Sequence, residues 1–529
     1  MRLRKLKKQL MRKFGTIPDP DYFHGDIEYV RAYYDFRRDT KRDDFIIDDI
    51  TWNDLDMDNV FKRMNSSLST SGEQYLYYML RSPAIRESDY IGRKKLIDLM
   101  GEKAELRLKL QVILARLGCT RRADLCQAFS PSAHGRGWLF VYLLLMLLVP
   151  AALISISIVP QFGMMATMVV ILFNSMVHEL RKRKIQGDFD TVNYSVAMIF
   201  ALHRIQKLKA PVLDEHLHPM YESLDRLRSV IRTGGVSSTS DGSPSDIIST
   251  LLLLDLIAYE FLKNKLGQCH DDVFTVHEYL GRIDAAISIA SYRKSLDFYA
   301  DPELDFAATG SGYLEGLRMI HPLIERPVPN DFVGDTPALI TGSNASGKST
   351  YLKTVALCAV MAQSICTCTA GKYRASAFRI YSSMALSDNL LAGESYYIVE
   401  TKSLKRILDS TKQKGAVLCV IDEVLRGTNT VERIAASSEV LTALAERGAL
   451  CIAATHDIEL CALLKSRYRL YHFEETVRDD DMLFDYAIRK GPAESRNAVN
   501  LLKVMGFDSR IVEKAHERVS RYLKEGLWS

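Results

Sequence analysis

The sequence predicts an α/β phosphate-loop domain in its C-terminal part, preceded by an all-α region that a transmembrane helical hairpin interrupts. Three observations carry that reading. "GSNASGKS" at 342–349 fits G-x-x-x-x-G-K-[ST] between an apolar strand and a helix, the context this motif requires. From about residue 335, the short β-branched or apolar runs "PALITG", "AVLCVIDE" and "ALCIAATH" alternate with helical stretches, as in a mostly parallel sheet. Finally, Trp138–Val177 contains no Asp, Glu, Lys, Arg or His.

In chain order, residues 1–50 open with "MRLRKLKKQLMRKFG", which has seven Lys/Arg among its first thirteen residues. No long apolar segment follows, so this is not a secretory signal. It reads as a solvated basic helix or as an arm attracted to anionic lipid head groups or phosphates. Residues 51–137 are helical, with "STSGEQYLYYMLRSPAI" a capped helix that Pro83 ends.

Residues 138–177 then supply two spans, Trp138–Ile158 and Val159–Val177. A spanning helix needs roughly 20 apolar residues. The expected turn is Pro160–Gly163, and Pro150 should kink the first helix. The alternative is a buried pair in a soluble core, but such helices nearly always carry a polar stripe. Arg121, Arg122 and Arg136 precede the pair, and "RKRK" at 181–184 follows it. Positive flanks stay cytoplasmic. A multi-pass membrane protein is therefore expected, with two spans and with its N-terminus and nucleotide domain in the cytoplasm.

Residues 178–318 resume the helical region. "TGGVSSTSDGSPSD" at 233–246 reads as a flexible loop. In "IISTLLLLDLIAYEFLKNKL", Asp255, Glu260 and Lys263 interrupt the apolar run, which favours a packed helix over a third span. Residues 319–490 form the α/β domain, and 491–529 close the chain.

The totals are those of a globular protein: 529 residues, 47% hydrophobic, 25% charged, net charge +4. Disorder is excluded as the main state, and the charge is too small to argue for nucleic acid by itself. Nine cysteines, none in a CxxC pair, read as buried thiols in a reducing, cytosolic environment.

The chemistry gathers at strand ends. Gly342 and Gly347 let the backbone wrap phosphates, and the loop Gly342, Ser343, Asn344, Ala345, Ser346, Gly347, Lys348, Ser349, Thr350 is the candidate ATP-binding site. Lys348 would neutralise the β/γ-phosphate charge, and Ser349 would ligate Mg²⁺. "VLCVIDE" ends in two carboxylates. Asp422 is expected to hold the Mg²⁺ shell, and Glu423 to act as general base on the attacking water. His456 in "AATHD", at a third strand end, is expected to sense the γ-phosphate.

Together "TGSNASGKSTYLKTVAL", "LSDNLLAGESYYIVETKSLKRIL", "VIDEVLRGTNT" and "ATHDIEL" resemble the ATPase domain of the MutS DNA mismatch-repair family, an ABC-type branch of the P-loop ATPases. The resemblance is strong over 319–529 and weaker over 51–318. It implies a homo- or heterodimer with ATP at composite sites. Ser395 stands where the family's signature serine reaches the partner's γ-phosphate, so Ser395 joins Glu423 and His456 as a catalytic candidate, and Glu400 follows in the same helix. Arg426, Gly427, Thr428, Asn429 and Thr430 match the loop after the carboxylates. "NAVNLLKVMGFDSRIVEKAHERVSRYLKEG" resembles the family's dimerising helix-turn-helix, with Asn497 where a glycine is usual. The family's Phe-x-Glu mismatch wedge is missing from the roughly 50 residues before the core, and the hairpin lies in the lever-like region. The expectation is a membrane-anchored, dimeric MutS-type ATPase, with DNA as a partner but without direct mismatch reading. A membrane-bound mechanical ATPase acting on a protein or lipid is the alternative. A transporter is disfavoured because one hairpin without ionisable residues makes a poor pathway.

Overall fold

The computed structural model describes residues 2–18, 27–40, 45–120, 138–213, 220–227, 244–308, 310–343, 346–384, 396–478, 481–492, 499, 502 and 506–525. The chain forms two compact units. One comprises Met1–Arg42, Met64–Tyr78 and Leu96–Lys294, and the other Asp43–Arg63, Met79–Lys95 and Ser295–Ser529.

The first unit is helical. The basic N-terminus is a helix, Arg2–Lys13. Leu10 is buried while Arg4, Lys5, Lys7 and Lys8 are exposed, and the Arg107 guanidinium lies 3.7 Å from the centre of the Phe14 ring just beyond the helix. The arm is thus docked along one apolar edge. At the centre, Asp284 accepts hydrogen bonds from Leu68 N (3.0 Å), Ser69 N (2.8 Å) and Ser69 Oγ (2.6 Å). These bonds satisfy backbone donors at the start of the helix Thr70–Arg81.

The uncharged stretch forms two helices, Leu139–Ile158 and Pro160–Lys184. Only Val159, at φ −137° and ψ 87°, separates them. Residues 160–163 are therefore the first turn of the second helix and not a loop. Proline at the first helical position already has the required φ and lacks only an N–H that would be unpaired there. Gly163 lets the legs meet: a Cβ on it would lie 2.5 Å from Ile156 Cα. The second helix runs on to Lys184, seven residues beyond the uncharged stretch. At about 1.5 Å per residue both legs reach ~30 Å or more. Both are long and apolar enough to cross a membrane, and only 22% and 11% of their most apolar windows are buried. Phe140, Leu147, Ile154, Phe162 and Met168 are all exposed.

"IISTLLLLDLIAYEFLKNKL" folds as two helices, Pro244–Leu251 and Leu254–Gln268, broken at Leu253. Asp255 ties the second of them to the helix Pro160–Lys184. Its carboxylate is buried against His178 Nε2 at 2.8 Å and Lys182 Nζ at 3.4 Å. Burial pushes the Asp255 carboxyl up, and His178 and Lys182 together pull it below its ordinary value. Asn174 Nδ2 donates to Leu145 O (3.2 Å) and Leu251 O (3.0 Å), and Arg181 Nε donates to Tyr142 OH (2.9 Å). The predicted loop at 233–246 lies outside the described residues up to 243, and from Pro244 it is helix.

Among the described residues the second unit holds ten strands: β1 Glu303–Asp305, β2 Leu314–Met319, β3 Asn330–Gly334, β4 Ala338–Thr341, β5 Lys372–Ser376, β6 Phe378–Ser383, β7 Ala416–Asp422, β8 Ala449–Ala454, β9 Arg469–Arg478 and β10 Asp481–Lys490. A four-stranded sheet runs β1-β5-β2-β3, and a six-stranded sheet runs β10-β9-β4-β8-β7-β6. In the larger sheet β6, β7, β8, β4 and β9 are mutually parallel, and β10 returns antiparallel as an edge. β4, β7 and β8 are buried throughout, which is why they read as unbroken apolar runs. Early residues complete this unit. Asp54 Oδ2 accepts from Ser382 Oγ (2.6 Å) and Met384 N (3.0 Å), and Gln363 Nε2 donates to Ala84 O (3.1 Å).

Candidate functional site

Parallel strands deliver their C-terminal ends to one edge of the sheet, where ligands of open α/β sheets bind. Here register places Ile340, Ala454 and Asp422 abreast on β4, β8 and β7. The phosphate loop, Thr455–Asp457 and Glu423 therefore leave the sheet side by side. Thr455 N donates to Ile340 O (3.0 Å) and Glu423 N to Ala454 O (3.0 Å), which fastens the three exits together.

The loop needs its glycines. Gly342 has φ +143°, and a Cβ on it would lie 2.9 Å from Phe473 O and from Ser346 Oγ. Gly347, at φ +102°, caps the helix Lys348–Ile365. Lys348 folds back across the loop and donates to Gly342 O (2.7 Å) and Ser343 O (2.6 Å). Burial pushes its ammonium down to about 8, against the pull of Asp422, Glu423 and Glu475. Ser346 Oγ donates to Ser343 O (2.8 Å), and the Ser343 hydroxyl donates to the Glu475 carboxylate. Ser349 and Thr350 are exposed in the first helical turn. Asn344 and Ala345, within the predicted loop, lie outside the described residues, as does Ser395.

Asp422 is buried, and its Oδ1 has no hydrogen-bond partner among the described residues. Such an orphaned acceptor suits a cation. Glu423 takes the left-handed conformation, φ +56°. Its carboxylate meets His456 Nε2 at 2.8 Å and forms an ion pair with Arg426. Burial pushes the Glu423 carboxyl up, but His456, Arg426 and Lys348 pull it below its ordinary value, so it is held ionised. Asp457 binds Arg433 through two bonds, 2.9 and 2.6 Å, and so orients the turn that carries His456.

Several contributors carry no sequence signature. A cleft of about 380 Å³ adjoins the helix start, with Lys348 and Thr350 on its polar side and Ile324, Val328, Phe473 and Tyr486 on its apolar side. Tyr486 stands on an irregularity in β10 between Phe484 and Ile488. Asn330 pins it there, donating to Tyr486 O (2.9 Å) and accepting from Ile488 N (2.8 Å). A register break is invisible in an alternating strand pattern, and Glu475 looks like any polar residue of β9.

The arrangement offers an anion cradle, a buried cation, an unpartnered carboxylate oxygen and an ionised carboxylate beside a histidine. Among the described residues no cluster of three His, Cys, Asp or Glu side chains is placed to hold a metal. One carboxylate and one hydroxyl is instead the sparse protein share with which Mg²⁺ is held beside phosphates and water.

Residues 338–523 match the family MutS domain V. The chain is 34% identical over 249 residues to the DNA mismatch repair protein MutS of Natronomonas pharaonis, covering 45% of this chain and 28% of the relative. It is 32% identical over 269 residues to DNA mismatch repair protein MutS 2 of Halobacterium salinarum, covering 48% and 30%. It is 32% identical over 205 residues to the MutS of Thermus thermophilus, covering 38% and 25%. The chain thus spans less than a third of the length of these curated relatives. The matches support MutS-family membership through domain V.

Proposed function

We propose that the chain is a membrane-anchored ATPase of MutS type that binds ATP with Mg²⁺ at the loop 342–350, hydrolyses it, and works as a dimer in association with DNA. The observation that carries the ATPase reading is the pairing, at one sheet edge, of a buried Lys348 with the strand-end carboxylates Asp422 and Glu423. The backbone N–H groups at the start of Lys348–Ile365 cradle phosphate oxygens. Lys348 exchanges its two carbonyl partners for phosphate. Asp422 and Ser349 hold Mg²⁺, which when bound neutralises charge on the β/γ oxygens. Glu423 accepts the proton of the attacking water, and His456 keeps that carboxylate oriented. The cleft beside Tyr486 takes the nucleoside.

Resemblance to MutS supports the remaining parts. It gives Ser395 a role on the partner subunit's nucleotide, residues 491–529 a role in dimerisation, and DNA as the partner. The anchor rests on the exposed apolar legs of 138–177 and their basic continuation at 181–184.

Nucleotide binding by the purified chain tests the core of this reading. Lys348→Ala should remove both ATP binding and turnover, and near-normal hydrolysis by it would overturn the site. Binding to duplex DNA across a salt series tests the partner. A DNA complex weakens steeply as salt rises, whereas no retention at low salt would favour a protein or lipid partner.

A further inference from the structure

We propose that Glu400 is a positioning residue that holds Leu425 in a left-handed backbone conformation and thereby fixes the aim of Glu423. The proposal rests on the ATPase reading above. Leu425 has φ +59° and Glu423 φ +56°, so two non-glycine residues within three take a conformation that bulky side chains avoid. Such outliers persist only where their surroundings over-determine them.

The surroundings are specific. Glu400 Oε1 accepts from Leu425 N at 2.6 Å and from Arg426 N at 3.3 Å. Val424 O accepts from Ser437 Oγ at 3.1 Å. Gly427 lies against the same helix as Glu400: a Cβ on it would lie 2.9 Å from Tyr397 Cβ. Arg426, whose backbone Glu400 holds, pairs through its side chain with Glu423. The route from Glu400 to the base is therefore one backbone segment and one ion pair.

Glu400 is a poor choice for stability alone. It is buried, and its Oε2 has no hydrogen-bond partner among the described residues. A buried, half-satisfied carboxylate is costly. What it gives in return is a clamp on the loop. The helix Tyr396–Ser410 begins directly after Ser395. The clamp therefore links the stretch expected to meet the partner's nucleotide with the base acting on the chain's own.

Four full-length variants test this: Glu400→Ala, Glu400→Gln, Leu425→Gly and the pair Glu400→Ala/Leu425→Gly. Turnover, fluorescent-ATP affinity and amide exchange are the readouts. Glu400→Ala should lower kcat about tenfold, with nucleotide affinity unchanged within about twofold. It should also speed amide exchange at Leu425 and Arg426 by about tenfold or more. Glu400→Gln, whose amide oxygen still accepts, should keep most of the activity. Glycine adopts the left-handed conformation without strain, so the double variant should return to within about threefold of Leu425→Gly alone. The proposal is overturned by wild-type kcat and exchange in Glu400→Ala, by affinity falling in step with kcat, or by a double variant no faster than Glu400→Ala. A wild-type chain that turns over no ATP would count against the ATPase reading, and amide exchange would then decide the clamp by itself.

Discussion

Lysine placed on the exposed face of the hairpin separates a bilayer anchor from a soluble helical pair. Leu147 is 61% exposed and Val169 59% exposed. In water, replacing both with lysine disturbs no packing and should change stability by no more than about 0.5 kcal/mol each. In a bilayer the outcome is different. Leu147 lies twelve residues before the Val159 turn and Val169 ten after it, so at about 1.5 Å per residue both sit ~15–18 Å from the turn. That is the middle of a hydrocarbon core roughly 30 Å thick. A lysine there costs about 2.5–3.5 kcal/mol on the insertion scale, so the pair costs ~5–7 kcal/mol. At about 1.4 kcal/mol per factor of ten this disfavours insertion by ~10⁴-fold. The assay is fractionation with alkaline extraction, with fluorescent-ATP binding as the check that the second unit is folded. Wild type should pellet and resist extraction, and Leu147→Lys/Val169→Lys should not. A double variant that behaves as wild type, or a wild type recovered in the soluble fraction without detergent, refutes the anchor.

Other expectations follow from single contacts. Gly342→Ala drives a Cβ to 2.9 Å from Phe473 O at φ +143° and should weaken nucleotide binding at least about tenfold, as titration with a fluorescent nucleotide would detect. Asp255→Ala strips buried His178 and half-buried Lys182 of their shared partner and should destabilise the helical unit by about 3 kcal/mol; an unchanged melting temperature in detergent would contradict it. His277 is fully buried, and burial lowers its pKa from 6.5 to about 4. Its folded state favours the neutral ring, so that stability is complete above about pH 6.5 and is lost as pH falls towards 4, by ~3 kcal/mol in all. Asp284 of the same helix, pushed up to about 7 by burial, acts in the opposite direction over this range, so the readout is the difference: between pH 6.5 and 4 the melting temperature of wild type should fall relative to that of His277→Phe.

The parts legible in the sequence are those whose chemistry is local. The phosphate loop, the strand-end Asp422–Glu423 pair and the apolar legs of the hairpin each depend on contiguous residues. Asp255 was readable as a mark of packing because an isolated carboxylate in an apolar run needs a buried partner, though nothing in the run names His178. The sequence points to a turn at Pro160–Gly163 where the break is at Val159, because proline signals both a loop and a first helical position. What stayed hidden depends on residues distant in the chain. Glu400 matters through backbone amides 25 positions away, Tyr486 through an irregularity in β10 pinned by Asn330, and Glu475 through the hydroxyl of Ser343. The entry of 43–63 and 79–95 into the second unit was equally invisible. Its bonds, such as Asp54 to Ser382, span more than three hundred residues and leave no periodic trace.

If Glu423 is the base at a working ATP site, its amide counterpart should bind ATP without turning it over. The most direct measurement is ATP turnover and ATP affinity on the same preparations of wild type and Glu423→Gln. The amide keeps the shape of the side chain but cannot take the water's proton. Affinity should be equal within about threefold and turnover lower by about a hundredfold or more in the variant. Equal turnover in the two chains, or no nucleotide binding by either, would contradict it.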